Sequence, residues 1–168
     1  MRTRTTVRMT LLSGLILLCS AVTLAADGGI EFDAAAKIIT IHDASGSIYL
    51  RVNVDGRCLI DSVKINGQQT VRSEYGVRTG IKVKNQWYTT RKTKSPIQVT
   101  VNGNTATIAN IRYGSEKTQV EEIWKFTADE NTIDWQIERT YLNGAVLDDT
   151  YFAGWDFASM DTWTGALL

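Results

Sequence analysis

Thr132-Ile133-Asp134-Trp135-Gln136-Ile137-Glu138-Arg139-Thr140-Tyr141-Leu142 alternates with a strict period of two. Ile133, Trp135, Ile137, Arg139 and Tyr141 fall on one face of an extended chain; Asp134, Gln136, Glu138 and Thr140 fall on the other. Successive side chains of a strand point to opposite sides, so this is the pattern of a strand with one buried face. It predicts a long strand over residues 132–142, closed by Asn143-Gly144. Upstream, Gln119 to Thr127 reads as its hairpin partner across Ala128-Asp129-Glu130-Asn131.

The same reading extends towards the N-terminus. Ile97 to Val101 and Thr105 to Ile111 are joined by Asn102-Gly103-Asn104, and Leu59 to Ile65 ends at Asn66-Gly67, after which Gln68 to Val71 pairs back. Asn-Gly tolerates the positive φ angles that a tight hairpin turn requires. Gly80 to Lys84 and Trp87 to Thr90 flank a further turn at Asn85-Gln86, and Ile38 to His42 and Ser47 to Val54 are earlier strands. Pro96, the only proline, marks a sheet edge or a strand start because it has no N–H to donate. About ten short strands with no helical periodicity predict an all-β fold, an antiparallel β-sandwich. Residues 27–36 read as a loose arm, and Val146 onward as less regular.

The first residues carry a different message. Arg2, Arg4 and Arg8 precede an uncharged run from Leu11 to Leu18, and small residues lead to Ala25-Ala26, with no acid before Asp27. Basic, apolar and small segments in that order make an export signal, and the apolar part is short for a membrane span of about 20 residues. The expected division is a signal peptide over residues 1–26 and one sandwich domain over 27–168, secreted or periplasmic; a retained anchor helix is the competing reading. Cys19 follows Leu18, where lipoprotein processing wants a small residue. Loss of the signal leaves Cys58 as the sole cysteine, so the domain must be held by a core and not by disulfides. Three of the chain's 18 basic residues leave with the signal, so 15 face 18 acidic ones. That balance argues against a nucleic-acid binder.

Chemistry-bearing motifs are few. His42 is the sole histidine, which excludes a multi-histidine metal site, and no phosphate-binding glycine loop or Cys-x-x-Cys pair occurs. No cofactor or metal is expected. Aromatics with carboxylates and amides remain, the side chains that stack on sugar rings and hydrogen-bond their hydroxyls. They are densest from Asp148 to Phe157 and at Asp161 and Trp163; Trp87 and Tyr88 form a second cluster beside Arg91, Lys92 and Lys94. The candidate carbohydrate-binding residues are Trp155, Asp156, Trp163, Trp87 and Tyr88. Trp124, Trp135 and Tyr141, on alternating strand faces, are assigned to the core. Two carboxylates among Asp148, Asp149, Asp156 and Asp161 could in principle flank a glycosidic bond, although loop carboxylates more often cap turns.

Asn131 to Tyr141, Tyr151-Phe152-Ala153-Gly154-Trp155-Asp156-Phe157 and Thr162-Trp163-Thr164-Gly165 together resemble the N-terminal β-sandwich domain (supersandwich, galactose-mutarotase-like) of secreted bacterial glycoside hydrolases. The resemblance implies a non-catalytic, carbohydrate-associated sandwich ahead of an (α/α) barrel that carries the catalytic acid, with polysaccharide or oligosaccharide as partner. It transfers no catalytic residue to this chain. The uncharged, apolar ending after Asp161 fits a domain that continues, or a last strand docked into the sandwich. A free-standing binding or adhesion domain and a small sugar-active enzyme such as an epimerase are the alternatives.

Overall fold

A computed structural model describes residues 4–12, 28–142 and 146–159. The chain forms two antiparallel sheets packed as a sandwich. Thirteen strands build it among the described residues: β1 (Arg4–Leu12), β2 (Gly29–Asp33), β3 (Ile38–His42), β4 (Ile48–Asn53), β5 (Leu59–Ile65), β6 (Gln68–Gln69), β7 (Val77–Val83), β8 (Gln86–Thr89), β9 (Gln98–Asn102), β10 (Thr105–Gly114), β11 (Gln119–Ala128), β12 (Thr132–Tyr141) and β13 (Asp149–Trp155). One sheet runs β1-β12-β11-β10-β9; the other runs β13-β7-β5-β4-β3-β2, with β6 beside β5 and β8 beside β7.

The alternation in β12 does what a period of two requires. Ile133, Trp135, Ile137 and Arg139 are buried between the sheets, while Asp134 is exposed and Gln136, Glu138 and Thr140 are half-buried. Trp135 stacks on Phe126 at 5.7 Å and meets Trp124 edge-on at 4.7 Å. These rings share one apolar core with Ile39, Ile41, Leu50 and Val52 of the opposite sheet. Trp124 and Trp135 are therefore core, as expected, and Tyr141 packs at its margin. Cys58 is buried in the same core, where burial pushes its thiol well above the usual range.

The turns at Asn66-Gly67 and between Asn102 and Thr105 close hairpins as expected, whereas Asn143-Gly144 lies outside the described residues. Asn66 and Gly67 both have positive φ, at 50° and 79°, between the paired Ile65 and Gln68. The β7–β8 turn sits one residue earlier than read, at Lys84-Asn85, whose φ angles of 49° and 63° give it the same form without glycine.

Three strands exceed the expected ten or so. Gly29–Asp33 is not a loose arm but the edge strand β2, in register with β3. Ile30 is buried and Phe32 half-buried against the core, with Glu31 and Asp33 exposed, an alternation of only four residues. Strand β13 is broken by a register shift between Tyr151 and Gly154, which disguises its periodicity. Of the segment read as an export signal, Arg4–Leu12 is strand β1, paired along β12 from Arg4 opposite Thr140 to Leu12 opposite Thr132. Residues 13–27, with the apolar run beyond Leu12 and the expected cleavage point, lie outside the described residues. No helix among the described residues is long and apolar enough to cross a membrane.

Candidate functional site

Strand β7 organises the most open aromatic region among the described residues. Thr79 and Ile81 are fully buried and turn into the sandwich, which sends Gly80 and Lys82 to the outer face. On one side β8 sets Trp87 opposite Lys82 and Thr89 opposite Gly80; on the other, β13 sets Asp149 opposite Lys82 and Tyr151 opposite Gly80. Two outward rows result, Trp87-Lys82-Asp149 and Thr89-Gly80-Tyr151. The Tyr151 ring reaches across the second row to Trp87, with centroids 4.9 Å apart.

Tyr151 lies there because two glycines leave room. A Cβ at Gly80 would come within 2.6 Å of the ring, and one at Gly154 within 2.8 Å. Lys82 holds its ammonium 5.9 Å from the Trp87 ring centre, a cation–π approach. Trp87 is 41% exposed and, among the described residues, shares the class of exposed large hydrophobics only with Val146.

Trp87 stands at the mouth of a hollow of about 480 Å³ lined by β8, by Lys92 to Lys94 and by Gly114 to Glu116. A second hollow of about 340 Å³, reaching Lys84 and Lys117, shares Gln86, Tyr88, Ser115 and Glu116 with it. A third, of about 480 Å³, shares Thr93 and Lys94 with the first and continues to Lys37, between the edge strands β2 and β9. The three form one interrupted trough. Its walls are fixed by the backbone: Thr93 N–H donates to Gly56 O at 2.9 Å and Lys94 N–H to Arg112 O at 2.7 Å. The bulge in β10 at Asn110 (φ 62°) lets that side chain donate to Pro96 O at 2.7 Å, tying the same loop down. Opposite, the Ser115 hydroxyl accepts the Thr118 N–H at 2.9 Å, and Gly114 (φ 125°) makes the turn possible, since its Cβ would lie 2.2 Å from Thr118 O.

The sequence placed five residues in a candidate site, and the structure separates them. Trp87 and Tyr88 belong to the trough, where the Tyr88 hydroxyl donates to Gln86 Oε1 at 3.1 Å. Trp155 is half-buried against the core and stacks on Phe157 at 5.9 Å; it pairs with Val77, five positions along β7 from Lys82 and so about 17 Å away. Asp156 straps the loop before β7: its N–H donates to Gly76 O at 3.2 Å, its carbonyl accepts Arg72 N–H at 2.8 Å, and its carboxylate lies 3.7 Å from Arg72 Nε. Trp163 and Asp161 lie outside the described residues. Tyr151, the two glycines and the lysines at the trough ends were not singled out as site residues. The signal that would have found Tyr151 is its place two residues from Asp149 in β13, on the outward face.

Of the candidate carboxylates, Asp148 holds the β7–β8 turn and Asp149 bonds within its own strand. Asp148 accepts the Asn85 N–H at 2.7 Å, and Asp149 accepts the Thr150 N–H at 2.7 Å. A stronger carboxylate site lies inside the sandwich. Glu122 accepts four hydrogen bonds, from Tyr113 Oη and Arg139 Nε at 2.6 Å each, Thr79 Oγ1 at 2.7 Å and Trp124 Nε1 at 2.8 Å. Arg139 also donates to Tyr113 Oη at 2.9 Å, to Tyr151 O at 3.0 Å and to the Thr150 hydroxyl, and its guanidinium sits 4.1 Å from the Phe152 ring centre. Burial works against the charge of Arg139, yet Tyr113 and Glu122 hold it protonated beyond the ordinary arginine range; burial, with Glu122 beside it, likewise raises Tyr113. Glu122 and Arg139 are fully buried, and neither lines the trough. This cluster joins β10, β11 and β12 to β7 and β13 as a structural clamp.

Among the described residues, no group of three or more His, Cys, Asp or Glu is placed to hold a metal ion. In comparisons with known proteins, no family model, no curated protein and no solved structure matches this chain. The fold and the site geometry are therefore what a functional reading can be built on.

Proposed function

We propose that this chain is a carbohydrate-binding β-sandwich that engages a polysaccharide or oligosaccharide along the trough beside Trp87. The observation that carries the reading is the exposed Trp87 ring, braced by Tyr151 and set among amide, hydroxyl and charged side chains. An indole face open to water covers the apolar face of a pyranose ring, while Gln86, Ser115 and Glu116 are of the types that bond sugar hydroxyls. Asp148, Asp149 and Asp156 are each engaged by protein groups, and the reading is therefore one of binding.

The wider proposal follows from the sequence: an exported protein, cleaved after residue 26, that serves as the front part of a glycoside hydrolase whose (α/α) barrel supplies the chemistry. Removal of β1 in the processed form would leave β12 as a sheet edge, open to another strand.

The test is titration of the full chain and of residues 27–168 with a panel of soluble polysaccharides, followed by tryptophan fluorescence. Binding that quenches emission and is lost in Trp87→Ala supports the reading. Binding that survives Trp87→Ala but is lost in Trp155→Ala would move the platform to the other end of β13. Silence across the panel would sink the carbohydrate role.

A further inference from the structure

Charge is distributed unevenly around the trough, and this indicates its ligand. The chain has eight lysines, and residues 27–168 carry an excess of acid. Yet Lys37, Lys84, Lys92, Lys94 and Lys117, five of the eight, line the three connected hollows, against two acids, Asp55 and Glu116. All five lysines are exposed, and none makes a short ion pair with a carboxylate among the described residues. Lys94 Nζ donates to a backbone carbonyl, Ser115 O, at 2.9 Å, so its charge is unneutralised. Lys84 and Lys117 lie at one end, Lys92 and Lys94 beyond Trp87, and Lys37 at the far end.

Resting on the carbohydrate reading, we infer that the trough takes an anionic glycan: a chain of sugar rings carrying carboxylate or sulfate groups at intervals. The Trp87 face would take a ring, and the separated lysines would take the negative groups on either side. Lysine ammonium groups suit this task because each is a mobile point charge that can meet an anion at variable spacing. A neutral glycan would leave the lysine clustering without a counterpart. A single-stranded nucleic acid also combines stacking with phosphate, but binding it relies on a positively charged groove fitted with several aromatic platforms. This trough offers one exposed ring, on a chain with no net positive charge.

The test uses the full chain and isothermal titration with four probes: polygalacturonate (carboxylate), dextran sulfate (sulfate), neutral dextran and a single-stranded oligonucleotide, each at low and high salt. One or both anionic glycans should bind about tenfold or more tighter than neutral dextran, with affinity falling as salt rises. Which of the two binds tells carboxylate from sulfate recognition. Lys92→Gln/Lys117→Gln, which removes one exposed charge towards each end, should cut that affinity about tenfold and leave the thermal midpoint unchanged. Equal, salt-insensitive binding of neutral dextran overturns the charge inference and leaves the carbohydrate reading standing. Tighter binding of the oligonucleotide overturns the inference in favour of a polynucleotide. No binding to any glycan removes both.

Discussion

Two regions of this molecule are made from the same residue types and do opposite things. The clamp around Glu122 and Arg139 combines a carboxylate, a guanidinium and the rings of Tyr113, Trp124 and Phe152; the trough combines lysines, Glu116 and the rings of Trp87, Tyr88 and Tyr151. In the clamp Glu122, Arg139, Tyr113, Thr79 and Trp124 are buried and bond one another. In the trough the charges and Trp87 are left to solvent. Solvent access, more than composition, separates a sealed lock from an open trough. The two meet at β13, where Thr150 and the Tyr151 carbonyl face the clamp while the Tyr151 ring supports Trp87.

The comparison breaks most severely at the clamp. Arg139→Met leaves Glu122 buried without a counter-charge and should cost about 3–5 kcal/mol, seen as a fall in the urea midpoint. Adding Glu122→Leu should recover part of that loss, though not all, because Tyr113, Thr79 and Trp124 would then lack their acceptor. If Arg139→Met unfolds at the wild-type midpoint, the clamp has been misjudged.

Gly80→Ala probes the link between the regions. The new methyl meets the Tyr151 ring at 2.6 Å, so the ring must leave its bed. A destabilisation of about 1–3 kcal/mol is expected, together with weaker glycan binding, although residue 80 touches no ligand. Unchanged affinity would show that Tyr151 is dispensable to Trp87.

Acidity distinguishes sealed groups by sign. Burial opposes ionisation of Asp43, but hydrogen bonds from the Ser45 hydroxyl, from Ile48 N–H at 2.7 Å and from the Ser47 hydroxyl at 2.9 Å outweigh it and lower its pKa. A lowered folded-state pKa gives stability that is present above the unfolded value, near 3.9, and is lost as pH falls through the folded one. Asp43→Asn should therefore cost about 1–2 kcal/mol at pH 7 and progressively less below about pH 4, read as converging denaturation midpoints. Arg139, shifted upward, contributes stability lost only when pH rises through a value far above the working range, so the clamp adds no mild-alkaline transition.

The smallest effect on stability belongs to Trp87→Ala, about 1 kcal/mol, the worth of its contacts with Tyr151 and Lys82 on a ring 41% exposed. The same change should abolish glycan binding. A large loss of stability with binding intact would reverse the roles assigned to the two regions.

Much of this fold was legible locally because a strand repeats every two residues and a hairpin joins neighbours in sequence. Residues 133, 135 and 137 announced their burial, and even Arg139 declared itself by falling on the apolar face of β12. The alternation could not say why a charge belonged there, since its acceptor Glu122 comes from β11 and Thr150 from β13. Edge strand β2 was missed because its alternation, Ile30-Glu31-Phe32-Asp33, is only four residues long, and β13 because its register shift breaks the period.

By itself, the sequence determined the all-β class, the order of hairpins, the core tryptophans and the absence of a multi-histidine or nucleotide motif. Tertiary structure alone decided that Trp87 and Tyr151, 64 positions apart, share a surface and that Trp155 does not join them. It also gathered five lysines from four separate stretches into one trough. Those facts depend on β13 docking beside β7 and on the loop after β8 facing the β10–β11 turn. Such contacts come from packing two sheets, and no period within a single strand encodes them.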